Sequence, residues 1–534
     1  MWDVGVDNLL DRARSRLLIV IISIFIAYFI LIIRLFEISY GYSKPQSYNN
    51  RAVFASGWHP NRLDIVDRNG VLLAVDVPTA SVYANPKQIR DIDQVAQFLS
   101  IAIDMDCKLL GELLHQNKKS FVWLKRHLVP KEQQKILELG LPGIYMKSDA
   151  KRIYPHNSLF AHILGYTDTD GNGLAGVERY FDNFLLNKDV KDKALQLSID
   201  TRLQYLMHSI LSEYMHKHKA FGGVSLLMEV DTGEILSAVS LPDFDINKPS
   251  SGRPNEVFNR FSLGLYEMGS VFKSFAIASA LDIGAVELNS EFYIGDSFKI
   301  ADRTIRDYKT NIGVMSVDEI FLRSSNIGTV LITMQMNPND QYAYLNKLGF
   351  FQQTSLELNE KASPIVPKRD KWNVVSRATV SYGHGISVTP IHLLEGIAAV
   401  IGGGVLHQAT LLQGKKNQSF HRVFAESTSE SMKYLFSLAV KRGTGMRALT
   451  PGYEIGGKTG SADKIVDGTY SKDSSIVSFA GVFPIDDPKY VLLVMVDDPK
   501  KTCNEDRITG GYLAAPIASR MIEKIAPILN VSPL

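Results

Sequence analysis

The stretch Leu17 to Ile33 reads LLIVIISIFIAYFILII, 17 residues without a charge, relieved only by Ser23, Ala27 and Tyr28. No other part of the chain is comparably apolar, so this segment decides where the rest of the molecule can reside. Extended to Phe36 it takes in Arg34, whose side chain can reach the interface while its stem stays among the lipids. A helix of about 20 residues crosses a bilayer, and the run is long enough for that. A buried helix of a soluble protein and a cleaved export signal are the other readings. The run is long for the apolar part of a signal peptide, and no A-x-A site follows it. Arg12, Arg14 and Arg16 precede the span; Arg34, Lys44 and Arg51 follow it. This near-balance leans only slightly towards a cytoplasmic N-terminus. The expectation is a cytoplasmic segment over 1–16 and a single-pass membrane anchor over 17–36.

The remainder has ordinary globular composition. The chain of 534 residues is 45% hydrophobic and 21% charged, which excludes a disordered or collagen-like protein. At about 150 residues per domain, length alone suggests three or four domains. A formal net charge of +2 argues against a nucleic-acid binder. Cys107 and Cys503 make no metal pattern and no disulfide scaffold; a bridge between them and two separate thiols both remain open.

From Leu63 to Tyr83 apolar and polar residues alternate around Asp67-Arg68-Asn69-Gly70, a hairpin signal. Residues 88–150 read as helical, with periodic runs at Val95–Leu99 and Glu132–Leu139. A first domain is placed over 37–215 and a second over 216–534. In the second, GGVSLLMEVDTGEILSAVSLP predicts two strands joined at Asp231-Thr232-Gly233. Helices are expected over 271–284, 317–335, 390–401 and 425–441. Strands return at Tyr453–Thr459, Ile476–Phe483 and Tyr490–Val496, followed by a helix over Leu513–Ile528. Strands at both ends with helices between predict one α/β domain whose sheet joins both ends of the segment.

Three short motifs lie in that domain. Ser270-Val271-Phe272-Lys273 is an S-x-x-K that puts serine and lysine on one face if Ser270 opens a helix. A serine hydroxyl needs a neighbouring base, and a lysine serves only if desolvation and positive potential lower its pKa. Ser324-Ser325-Asn326 is an S-x-N, which alone reads as a helix cap. Lys458-Thr459-Gly460, followed by Ser461, sits on an expected strand where glycine permits close approach of a ligand. Each motif is weak singly.

Their order raises all three together, since it is the signature of the penicilloyl serine transferases. The chain resembles a class B penicillin-binding protein, a membrane-anchored peptidoglycan D,D-transpeptidase. YEMGSVFK resembles the family's Y-E-P-G-S-x-x-K, with Met268 in place of proline. DIVDRNGVLLA (Asp64 to Ala74) resembles R-G-x-I-x-D-R-N-G-x-x-L-A, with Leu63 where glycine is usual. Arg152-Ile153-Tyr154-Pro155, Ala161–Tyr166 and Gly176-Val177-Glu178 resemble other motifs of the N-terminal pedestal. MEVDTGEILSAVSLPDFD, SYGHGISVTP and TGGYLAAP resemble the transpeptidase domain. Compact length and SYGHGISVTP are closer to the division-specific subtype, FtsI, than to its elongation paralogue.

The resemblance implies a mixed α+β pedestal of the dimerisation type over 37–215. It also implies a penicillin-binding, β-lactamase-like transpeptidase domain over 216–534, a central antiparallel sheet with helices on both sides. It implies acyl transfer with Ser270 as nucleophile, Lys273 as base, Ser324 as proton relay and Lys458 as a positive field behind that hydroxyl. Asn326, Thr459, Gly460 and Ser461 would bind substrate, with backbone N–H groups of Ser270 and Ser461 as the oxyanion hole. No cofactor or metal is implied. Expected partners are peptidoglycan stem peptides, β-lactams, a SEDS-type glycosyltransferase and other division proteins, with no nucleic acid. The expected place is the cell inner membrane, with the large domains periplasmic and the role septal. An elongation-type paralogue and a D,D-carboxypeptidase or β-lactam hydrolase are the alternatives.

Three further positions invite a role. His384 in SYGHGIS reads as a loop residue held by hydrogen bonds near the site. Glu357-Leu358-Asn359 reads as structural, because Ser355 stands where class A β-lactamases place a deacylating glutamate. Thr444 in RGTGMRA lies in a loop expected to approach the site.

Overall fold

The computed structural model describes residues 62–116, 119–187, 194–310, 312–414, 420–466, 469–502 and 507–533, with Leu18, Ile22 and residues 24–33. The chain divides into two units, Met1–Trp58 and His59–Leu534. In the first, Leu18, Ile22 and residues 24–33 are helical and exposed. Among the described residues no helix is long and apolar enough to cross a membrane. The rest of the expected 17–36 anchor, the 1–16 segment and Cys503 lie outside the described residues. Cys107 is exposed, with a free thiol.

The second unit opens with the expected hairpin. Strands β1 (Ile65–Val66) and β2 (Leu72–Ala84) pair antiparallel. The Asp67 carboxylate closes the turn by accepting from the N–H of Asn69 and of Val71, both at 2.8 Å. Strand β2 continues for 13 residues and carries β3 (Val122–Leu128) and β4 (Ile144–Ile153). Helices α1 (Ile92–Ile103), α2 (Cys107–Leu114) and α3 (Pro130–Leu139) alternate with them. Leu99, Ile103, Leu110 and Leu114 bury against Val82, Ala84 and Leu124 of the strands. The all-helical reading of 88–150 is therefore corrected: its periodic runs are helices, but β3 lies between them and β4 follows the second. Strand β4 exposes Tyr145, Lys147 and Lys151 on one face, and its other face mixes Ile144 and Met146 with Ser148 and Arg152, so the apolar alternation that marks a strand is weak.

The motifs of this first domain converge on one ionic core. Arg62 and Arg152 both donate to the buried Glu178 carboxylate, Arg152 at 2.7 Å. Arg152 also reaches Asp76 at 3.2 Å, and Arg62 reaches Asp182 at 2.6 Å. Burial pushes the Asp76 carboxyl up, against the pull of Arg152. Charges this deeply buried persist only when each is paired. Thus segments around 62, 76, 152 and 178 are fastened to one another across more than 100 residues.

Strand β5 (Leu195–Gln196) pairs parallel with β1 and leads into α4 (Thr201–Lys217), capped by Asp200. Although α4 falls mostly within 37–215, its Leu203, Met207, Ile210 and Leu211 bury in the core of the following domain. There, β6 (Gly222–Glu229) and β7 (Ile235–Leu241) form the expected hairpin. Three short hairpins come next: β8 (Glu291–Ile294) with β11 (Gly313–Ser316), β9 (Phe298–Ile300) with β10 (Arg303–Ile305), and β12 (Val405–His407) with β13 (Phe420–Arg422). Strands β14 (Gly456–Val466), β15 (Thr469–Phe483) and β16 (Tyr490–Asp497) complete an antiparallel sheet in the order β14-β15-β16-β6-β7.

Period-two burial explains the layers. Leu227, Val477, Phe479, Leu492 and Val494 face α4 and the C-terminal helix Ala515–Ile525. Val224, Leu226, Met228, Ala480 and Leu493 face helices α5 (Lys273–Asp282), α6 (Val317–Arg323), α7 (Asn326–Met334), α8 (Pro390–Ile401) and α9 (Glu426–Lys441). The expected helix over 317–335 is two helices, because Ser324 between them has φ +57°. The last helix starts at Ala515, after a wider turn over Gly510–Ala514.

Candidate active site

Ser270 lies in a tight helical turn, Gly269–Phe272, that runs directly into α5, whose first residue is Lys273. Ser270 thus stands at the helix entrance, where the positive end of the dipole favours a developing oxyanion. The turn requires glycine at 269. Its φ is +53°, and a Cβ there would lie 2.4 Å from the Ser461 carbonyl oxygen. That contact seats the turn against β14, an edge strand of the sheet. Backbone groups on an edge are unpaired on one side and available to a ligand. Gly460 has a related duty: a Cβ there would lie 2.7 Å from the Met268 carbonyl oxygen. Its missing side chain therefore makes room for the nucleophile's own segment rather than for a ligand.

Lys273 is fully buried. Its Nζ donates to the Ser324 carbonyl oxygen at 2.5 Å and to Ser324 Oγ at 3.2 Å. Among the described residues Lys273 makes no hydrogen bond to Ser270. Burial, and then the nearby Lys458, hold its pKa well below the ordinary lysine value. Lys458 is equally buried, and its Nζ has no hydrogen-bond partner among the described residues. It stands 5.2 Å from the centre of the Phe321 ring, and burial lowers its pKa to about 7. Two lysines that shed protons readily therefore share the site.

The left-handed conformation of Ser324 ends α6 and turns its carbonyl towards Lys273. Ser325 then caps α7, accepting from Gly328 N–H at 2.9 Å. Asn326 Nδ2 donates to the Arg306 carbonyl at 2.9 Å. On β14, Thr459 Oγ1 donates to Thr444 Oγ1 at 2.8 Å, so the RGTGMRA loop does approach the site. Ser461 Oγ accepts from Gly510 N–H at 3.0 Å, which brings in the TGGYLAAP segment.

The SYGHG loop forms a further wall. Tyr266 and Val388 pair as a bridge, joining YEMGS to SVTP. The Glu267 carboxylate accepts from Gly385 N–H at 2.8 Å and from the Tyr470 hydroxyl at 3.1 Å. The His384 ring lies 5.2 Å from Tyr382 and 5.7 Å from Tyr470. Among the described residues its Nδ1 is buried without a hydrogen-bond partner, and burial lowers its pKa against the pull of the Glu267 carboxylate. Glu357 is buried away from this chemistry, accepting from Thr410 Oγ1 and Leu411 N–H at 2.8 Å each. Sequence reasoning missed Asp307, whose carboxylate accepts from Ser325 Oγ at 2.7 Å and Ile327 N–H at 3.0 Å. No motif spacing marks it.

Residues 223–523 match the penicillin-binding protein transpeptidase domain, and residues 58–193 match the penicillin-binding protein dimerisation domain. A probable peptidoglycan D,D-transpeptidase FtsI of Caulobacter vibrioides is 35% identical over 492 residues, covering 90% of this chain and 83% of that protein. The peptidoglycan D,D-transpeptidase FtsI of Escherichia coli K12 is 29% identical over 500 residues, covering 88% and 84%. The crystal structure of penicillin-binding protein 3 from Mycobacterium tuberculosis, complexed with aztreonam, shares the fold with a TM-score of 0.70 at 22% identity, covering 89% and 98%. The chain belongs to the class B penicillin-binding proteins and is an FtsI-like, serine-type peptidoglycan D,D-transpeptidase.

Proposed function

We propose that Ser270, Lys273, Ser324 and Lys458 carry the crosslinking reaction of this division transpeptidase. The observation behind the proposal is the pair of buried lysines beside Ser324, with Lys273 hydrogen-bonded to it and Lys458 unpaired. Ser270 Oγ attacks the carbonyl carbon between the two terminal D-alanines of a donor stem peptide, and neutral Lys273 takes its proton. The scissile C–N bond breaks as Ser324 passes its proton to the departing D-alanine and takes the one held by Lys273, leaving an ester on Ser270 and Lys273 neutral again. The amine of a second stem peptide then attacks that ester. An amide forms, and the proton returns to Ser270 Oγ.

Lys458 keeps a positive potential behind Ser324 in a water-poor site, where such fields act strongly. Asn326 faces the donor backbone. The Thr459 and Ser461 hydroxyls bind the terminal carboxylate, with Thr444 hydrogen-bonded to Thr459 at 2.8 Å. Backbone N–H groups of Ser270 and Ser461 supply the oxyanion hole, each worth about 3 kcal/mol in comparable acyl transfer. β-Lactams acylate Ser270 as stem-peptide mimics. The apolar 17–36 segment anchors the enzyme in the inner membrane, with 1–16 cytoplasmic and residues from 37 onward periplasmic. Anchor and pedestal dock on a SEDS-type glycosyltransferase and other septal proteins.

Labelled penicillin followed by mass spectrometry tests the nucleophile. The adduct is expected on the peptide containing Ser270 and is lost in Ser270→Ala. An adduct that survives the substitution would show that another residue is the nucleophile.

A further inference from the structure

Asp307 sits on the loop that leaves β10, half-buried beneath the Ser324-Ser325-Asn326 turn. One carboxylate oxygen accepts from Ser325 Oγ at 2.7 Å, the other from Ile327 N–H at 3.0 Å. The adjoining Arg306 carbonyl accepts from Asn326 Nδ2 at 2.9 Å. The three residues that follow Ser324 are therefore all tied to two neighbouring residues of one loop. Ser324 itself needs such a restraint. A φ of +57° is unfavourable for serine by about 1–2 kcal/mol, and it persists only where the surroundings over-determine it. That conformation directs both the carbonyl and the hydroxyl of Ser324 at Lys273 Nζ.

We infer that Asp307 is a positioning residue for the transpeptidase reaction, holding the turn that presents Ser324 to Lys273. The inference rests on the roles proposed above for Ser324 and Lys273. The carboxylate has a second effect through its charge. Charged or titratable groups near Lys273 are Lys458 from β14, His384 from the SYGHG loop and Asp307, and of these Lys458 and Asp307 shift Lys273. Asp307 opposes Lys458, because its negative charge favours the protonated ammonium. It therefore moderates how far the base is depressed, as well as fixing where its partner stands.

Stopped acylation assays with a fluorescent penicillin, run from pH 5 to 10 on the full-length protein, separate the two effects. Asp307→Asn keeps much of the shape and loses the charge. Its acidic limb is expected to move to lower pH by about one pH unit, the effect of one nearby opposite charge. Ser325→Ala removes one tether and no charge. It should slow the plateau rate roughly tenfold, the cost of one well-placed hydrogen bond, and leave the limb in place. Asp307→Ala combines both changes, with a plateau loss of about 100-fold. Wild-type rates and an unmoved limb in Asp307→Asn overturn the inference, as does a lowered melting temperature with unchanged acylation. Ser270→Ala measured alongside reports on the underlying mechanism: retained label there overturns the nucleophile assignment, independently of Asp307.

Discussion

Lys458 sets the electrostatic cost of the site. An ammonium without a hydrogen-bond partner in a water-poor interior is destabilising, and its pKa near 7 expresses that penalty. The sign follows from linkage. Between about pH 7 and 10 the unfolded lysine binds a proton that the folded one has shed, so stability should rise with pH across that window. Lys458→Met keeps the volume and removes the charge. Its melting temperature at pH 7 should rise by about 3 °C, with a flatter pH dependence, while penicillin acylation is lost. Differential scanning calorimetry at pH 7 and pH 9.5 checks this; a lower melting point at pH 7 would mean the ammonium is stabilised by contacts that offset its burial. The serines, lysines and Asn326 were legible in the sequence because three motifs stand at recognisable spacings. Asp307 was not, because in ADRTIRDYK it is one charged residue among several, and only the loop's return to the Ser324 turn gives it a partner.

At the scale of elements, motif resemblance marked the pedestal segments without saying what they do. Arg62, Asp76, Arg152 and Glu178 come from separate segments, and their common function is visible only once the strands have brought them together. Glu178 is fully buried between two arginines, so neutralising it leaves both under-compensated. Glu178→Gln should cost about 3–5 kcal/mol of pedestal stability. Urea unfolding followed by the emission of a variant that keeps only Trp123 of the four tryptophans reads this, since Trp123 lies on β3 of the same domain. A loss below about 1 kcal/mol would reduce the cluster to a surface-like pair. Element boundaries were legible where turn residues punctuate an apolar run, as at Asp231-Thr232-Gly233 between the fully buried β6 and β7, and where burial is one-sided, as in α9. They were lost where local physics competes: the inward face of β4 mixes Ile144 and Met146 with Ser148 and Arg152, and a single left-handed serine divides 317–335.

At the scale of the molecule, the sheet explains why the first and last parts of the transpeptidase domain must fold as one. Strand β16 pairs with β6 from Tyr490↔Glu229 to Asp497↔Gly222, across more than 260 residues. The segments that carry Ser270 and Ser324 lie inside that loop. Such long-range pairing was legible as strands at both ends of the segment, while the order β14-β15-β16-β6-β7 was not, because sequence names no partners. The catalytic groups, the sheet and the ionic core all belong to the unit His59–Leu534. A fragment of residues 59–534 should therefore acylate with labelled penicillin at the full-length rate. If residues 17–36 are the anchor, the fragment should also stay in the supernatant on membrane fractionation and fail to complement a depleted division transpeptidase. Slower acylation would place part of the chemistry's support in the first unit. A fragment that still sediments with membranes would move the anchor elsewhere in the chain.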